Sequence, residues 1–174
     1  MGRSTASVDA FARLDADEKV AALRGRTCPI EVIRAGARDG VWLVRRAAVR
    51  NPSAPEDVIR QGAQDEGRDV RVAALGNPSA PIDVITTGAQ DKNWWVRAAA
   101  VGNPKAPVEV IAAGARDRSP YVRRAAASNP RISEEAADRL SRSKAPAIHR
   151  ALAENPAVPE RIRVVAAMRA GVAF

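Results

Sequence analysis

Four arginines, Arg45, Arg71, Arg97 and Arg123, stand at equal intervals along the chain, and His149 takes the fifth place in the same register. Aspartates keep the same step six residues ahead of them, at Asp39, Asp65, Asp91 and Asp117. Guanidinium groups repeated at the roughly 10 Å spacing of packed helices would suit a polyanion, one contact per repeat. They would also suit carboxylates held in bidentate geometry, with each arginine paired to the aspartate six residues earlier or to its counterpart in the next repeat. The matching aspartates favour the second reading. The arginine and aspartate columns are therefore assigned to the scaffold, and His149 reads as a degenerate copy of the arginine.

Positions that differ from repeat to repeat carry the other candidate chemistry, because they face something that does not repeat. The residue after each aspartate reads Gly40, Glu66, Lys92, Arg118 and, in the same register, Lys144; the residue before it reads Arg38, Gln64, Gln90, Arg116 and Arg142. Lys105 and Arg131 follow Asn-Pro pairs, and Arg124 and Arg150 follow the arginine column. This basic series is expected to form one solvent-facing edge. Trp42, Trp94, Trp95 and Tyr121 fall in the same loop, where rings among cations stack on bases or anchor a protein. Trp42 and Trp94 are expected to be exposed, whereas Leu43, Trp95 and Tyr121 share a column that either joins the surface or caps the helix beneath it. The candidate binding edge is Trp42, Lys92, Trp94, Lys105, Arg116, Arg118, Arg131, Arg142 and Lys144.

Catalytic groups are sparse. One histidine and one cysteine, far apart in the chain, give no nucleophile–base pair. Cys28 shares a column with Ala54, Ala80 and Ala106 and reads as a small buried residue. The sequence contains no Gly-rich phosphate loop, His–carboxylate cluster or metal-ligand spacing. No enzyme, cofactor, metal or small-molecule substrate is expected.

The elements that position these columns follow from the period. Asn-Pro recurs at Asn51, Asn77, Asn103, Asn129 and Asn155, a constant step of twenty-six residues. Constant repetition of this kind specifies a stack of like units. In each unit a first helix is predicted to start at Pro29, Pro55, Pro81 or Pro107, where a missing N–H costs nothing. An acidic residue follows (Glu31, Asp57, Asp83, Glu109), favourable at the positive end of the helix dipole. Val-Ile pairs then face the core, and a Gly-Ala pair lets another helix approach. A second helix carries the arginine column and is ended by Asn-Pro, since the residue before proline is pushed out of the helical region. The asparagines are expected to bond to local backbone. Helices this short are unstable alone, so neighbours must supply the stability. The fold class expected is all-α, an α-solenoid of five to six two-helix repeats. One array is expected over 1–174, with a partial capping unit at 1–26, four regular repeats at 27–128, a divergent repeat at 129–154 and a cap at 155–174. Val164, Val165, Met168, Val172 and Phe174 are read as folding back to close that end, with self-association as the alternative.

The segment NPSAPEDVIRQGAQDEGRDVRVAALGNP resembles the leucine-rich repeat variant family and, more distantly, HEAT-like repeats. The resemblance implies units that pair an α-helix with a short 3₁₀ helix. It carries no general activity, and the cysteine-rich iron–sulfur segment of the founding member has no counterpart in this sequence. HEAT-like DNA glycosylases catalyse with Asp, Trp and Arg alone, which keeps a glycosylase as the remote alternative.

Lys and Arg outnumber Asp and Glu by 28 to 20, a formal charge of +8. That balance points to acidic partners. The function expected is a non-catalytic protein-interaction scaffold whose basic edge suits an acidic protein; the alternative is sequence-nonspecific binding to a nucleic-acid backbone. A monomer in the cytoplasm, with no membrane segment, is expected.

Overall fold

The computed structural model describes the backbone of residues 2–172 and the side chains of residues 7–172; Phe174 lies outside them. The described residues form thirteen α-helices and no strand. They are α1 (Gly2–Ala12), α2 (Ala16–Ala22), α3 (Ile30–Gly36), α4 (Trp42–Arg50), α5 (Glu56–Ala63), α6 (Arg68–Leu75), α7 (Ile82–Gly88), α8 (Trp94–Gly102), α9 (Val108–Gly114), α10 (Pro120–Ser128), α11 (Glu134–Ser141), α12 (Pro146–Glu154) and α13 (Glu160–Ala170). The chain divides into two compact units, residues 1–84 and 85–174. Within each, helix pairs stack in the manner of an α-solenoid.

Both helices of a repeat are α-helical, which corrects the 3₁₀ element implied by the family resemblance. The proline at the start of each first helix also sits one position earlier than expected. Pro29, Pro55 and Pro107 are N-cap residues, so the helix proper begins at the next residue. The N-terminal pair includes a capping box: the Asp15 carboxylate accepts from the Glu18 amide and the Glu18 carboxylate from the Asp15 amide, both at 2.9 Å.

In residues 1–84, α4 packs on α2, α3, α5 and α6, so the second helices form a continuous layer. In residues 85–174, α10 takes the same central place against α8, α9, α11 and α12. The core is aliphatic and thin. Ile33, Val44, Ile59, Val70 and Leu75 are fully buried in the first unit, and Ile111, Val122, Ile148 and Leu152 in the second. Glycine sets how close the layers come: a methyl group on Gly62 would lie 2.6 Å from Val49 Cγ2, and one on Gly114 the same distance from Val101 Cγ1. Each of these glycines on a first helix meets a valine of the preceding repeat's second helix.

At the C-terminus α13 packs on α12 and α11 and ends at Gly171, whose φ of 67° is left-handed. Ile162, Ala166 and Ala167 are its buried residues, whereas Val165, Met168 and Val172 are exposed. The expected closure by the latter three is therefore corrected. The apolar residues that cover the end lie on the opposite face of α13.

Candidate functional site

The repeated step builds two internal seams before it builds any free surface. In the first, second-helix arginines bind the turn before their own helix, and two of them reach forward to the next repeat. Arg45 donates from Nε to Asp65 Oδ2 at 2.7 Å and from Nη2 to Asp65 Oδ1 at 3.0 Å, and its Nη1 donates to the carbonyls of Asp39 and Gly40. Arg97 repeats this with Asp117 and with the carbonyls of Asp91 and Lys92. Nη1 of Arg71 donates to the carbonyls of Asp65 and Glu66, and Nη1 of Arg123 to those of Asp117 and Arg118. The aspartate six residues back thus contributes its carbonyl, and for Arg45 and Arg97 the carboxylate comes from the next repeat.

Each aspartate also organises its own turn. Oδ1 of Asp39, Asp65, Asp91 and Asp117 accepts from the amide two residues on. The bond from Arg97 holds the Asp117 carboxyl below the usual carboxylate range, against the opposing pull of burial. Burial pushes Asp65 up, but the bonds from Arg45 and the Gly67 amide outweigh it and the net direction is down.

One member of the seam escapes a reading based on arginine. Lys19 occupies the place one full repeat before Arg45 and binds Asp39 Oδ2 at 2.9 Å. The change of residue type hides it; the register finds it. At the other end, His149 is buried with Nε2 3.1 Å from the Ser141 carbonyl. Arg123 has no carboxylate partner among the described residues, because Ser143 occupies the aspartate position.

The asparagines form the second seam, and here the expectation of local bonding is only half the geometry. Oδ1 of Asn51, Asn77, Asn103, Asn129 and Asn155 accepts locally from the amide two residues on. Nδ2 of Asn77 crosses to the carbonyls of Val49 and Asn51, at 2.8 and 3.2 Å. Asn129 crosses to Val101 and Asn103, and Asn155 to Ala127 and Asn129. All these asparagines are buried. A third set of pairs lies exposed on the first helices, where Arg34 binds Asp57 and Arg60 binds Asp83.

Of the proposed binding edge, Lys92, Lys105, Arg118, Arg131 and Lys144 are exposed and in no ion pair among the described residues. Arg131 Nη1 donates to the Lys105 carbonyl. Arg116 and Arg142 are exposed but engaged, the first by Glu135 at 3.1 Å and the second by Asp138 at 2.7 Å, so they are corrected out of the free cations.

The aromatic residues lie in the first turns of the second helices and not in the loop before them. Trp42 is exposed, whereas Trp94 is half-buried, contrary to expectation. Trp94 stacks on Tyr121 with ring centroids 4.3 Å apart and meets Trp95 edge-on at 5.2 Å. Leu43, Trp95 and Tyr121 are 41%, 44% and 57% exposed, so that column joins the surface. Cys28 is corrected too. It is half-buried at the rim of an apolar cavity with Phe11 and Leu14, where burial pushes its thiol up, while Ala54, Ala80 and Ala106 in its column are buried.

Among the described residues no group of three His, Cys, Asp or Glu side chains is placed to hold a metal ion, and no helix is long and apolar enough to cross a membrane.

A structure described as a leucine-rich repeat variant with a novel repetitive protein structural motif is similar to this chain: it is 21% identical, over 95% of this chain and 81% of the other, with a TM-score of 0.47. No protein-family model and no curated protein matches the sequence.

Proposed function

We propose that the chain is a non-catalytic repeat module that binds an acidic polypeptide segment through residues 85–174. The observation that carries this reading is the exposed pair Trp95 and Tyr121, held by the half-buried Trp94, beside Lys92 and Arg118, which have no ion-paired carboxylate among the described residues. Tyr and Trp rings fixed by a neighbour bury large areas at little entropic cost, and such residues dominate protein interfaces. Lys144 and Arg124, exposed and in no ion pair among the described residues, add to the positive field. A nucleic-acid backbone would call for an unbroken file of free cations, and the commitment of Arg116 and Arg142 to Glu135 and Asp138 interrupts that file.

Binding of a fluorescent glutamate-rich peptide to the full chain tests the proposal. Charge reversal at Lys92, Arg118 and Lys144 together is expected to abolish it with the helical circular dichroism retained. Undiminished binding by that variant, or stronger retention of single-stranded DNA than of the peptide at physiological salt, would overturn it.

A further inference from the structure

Of the arginines in residues 1–84 that belong to none of the seams, three meet at one cleft. Arg24 just beyond α2, with Arg46 and Arg50 on α4, lines a cleft of about 450 Å³ whose walls include the aliphatic side chains of Val20, Leu23 and Leu43. No carboxylate lines it. None of the three guanidinium groups makes a hydrogen bond or ion pair with a described residue, whereas Arg34, Arg45 and Arg60 of the same unit all hold carboxylates.

The scaffold does not ask for these charges. Gly76 and Gly102 stand in the column of Arg24 and Arg50, and Val72 and Ala98 in that of Arg46, and the helix pairs there form equally well. Arg46 and Arg50 are one turn apart on α4, a spacing at which like charges repel. An anion between them relieves the repulsion.

We propose that this cleft is a binding site for a phosphomonoester. A guanidinium fork matches phosphate oxygens in bidentate fashion. A monoester brings nearly two negative charges and three acceptor oxygens to share among three arginines. Val20 and Leu43, which keep surface open to the cleft over the buried Leu23, receive the carbon body to which the phosphate is attached. The volume lies in the range of small-ligand sites, roughly 300–1,000 Å³, while a nucleic-acid diester offers one charge per phosphate and continues in both directions. The phosphate is carried either by a free small molecule or by a phosphorylated side chain, with the same recognition chemistry. None of the cleft's residues belongs to the edge proposed for residues 85–174.

Calorimetry on the full chain with phenyl phosphate and with a phosphotyrosine peptide tests the assignment. Phenyl phosphate should bind more tightly than phenyl sulfate. The double variant Arg46→Gln, Arg50→Gln should lose at least about tenfold in affinity, the worth of one charge-assisted hydrogen bond. Arg24→Gln, outside any helix, should show a smaller loss, and Lys92→Glu none. A peptide bound more tightly than phenyl phosphate identifies a protein-borne phosphate; the reverse order identifies a free ligand. Equal binding of sulfate and phosphate esters, full affinity in the folded double variant, or tighter binding per phosphate to duplex DNA would overturn the proposal.

Discussion

Arg97 grips Asp117 through two parallel bonds, Nε to Oδ2 at 2.7 Å and Nη2 to Oδ1 at 2.9 Å, across the boundary between successive repeats. Its third nitrogen closes the turn of its own repeat. A single side chain therefore sets the shape of one repeat and its attachment to the next. Arg97→Lys keeps the charge and loses the fork. It is expected to lower the stability of residues 85–174 by about 1.5–3 kcal/mol, the worth of hydrogen bonds to a charged group, seen as a lower urea midpoint. An unchanged midpoint would show that the ladder holds nothing.

Acid should loosen the same seam. The carboxyls of Asp65 and Asp117 have folded values below their unfolded ones, so the stability they contribute is complete above the ordinary carboxylate value of about 4 and is lost as pH falls below it. Melting temperatures recorded from neutral pH downward should hold steady to that point and then decline. Asp117→Asn should flatten the decline.

The asparagine seam separates local from cross-repeat bonding. Asn129→Asp retains an oxygen for the Arg131 amide but presents acceptors to the carbonyls of Val101 and Asn103. It should destabilise as much as Asn129→Ala or more, by roughly 1–3 kcal/mol for the buried polar groups left unmatched. Tolerance of aspartate would reduce the residue to a turn former.

Gly62→Ala and Gly114→Ala each drive a methyl group into a valine of the preceding repeat, 2.6 Å away. Overpacking of this kind should cost about 1–3 kcal/mol. Gly40→Ala, with open space around the added carbon, is the neutral control in the same thermal melts.

Removing the rings should separate anchoring from steering. Trp95→Ala with Tyr121→Ala is expected to weaken the glutamate-rich peptide through faster dissociation. Charge reversal at Lys92 should act chiefly on the association rate and its salt dependence. Stopped-flow fluorescence distinguishes the two.

The period, the paired helices and the buried Val-Ile positions are legible in the sequence because repetition displays its own alignment. Which carboxylate an arginine takes is not. Spacing offers both the aspartate six residues back and the one twenty residues ahead, and only the stacking geometry brings the second within reach of the fork. The exposures of Trp94 and Trp95 are likewise invisible, because neighbours on a helix point about 100° apart. Which of them faces outward depends on the helix starting at Trp94 and not after it. Arg116 reads as a free cation although Glu135 continues the acidic column of Glu31, Asp57, Asp83 and Glu109, because spacing does not show which cation that carboxylate meets. Arg142 reads so because Asp138 stands outside the repeating acidic columns. The arginine cleft hides for the opposite reason. Arg24 and Arg50 lie at helix ends that glycine fills elsewhere, so their column looks like a terminator.

Serine at 143 ends the arginine seam one repeat before the asparagine seam, which runs on to Asn155. A tether pulling on the C-terminus therefore meets a joint without the bidentate arginine clamp, held instead by Asn155, by Arg161 on Glu134 and by Arg169 on the Ser141 carbonyl. Mechanical tension should peel the final helices away from that joint while the preceding one, fastened by Arg97 on Asp117 and by Asn129 on Val101 and Asn103, stays closed, giving this end of the chain a built-in order of rupture.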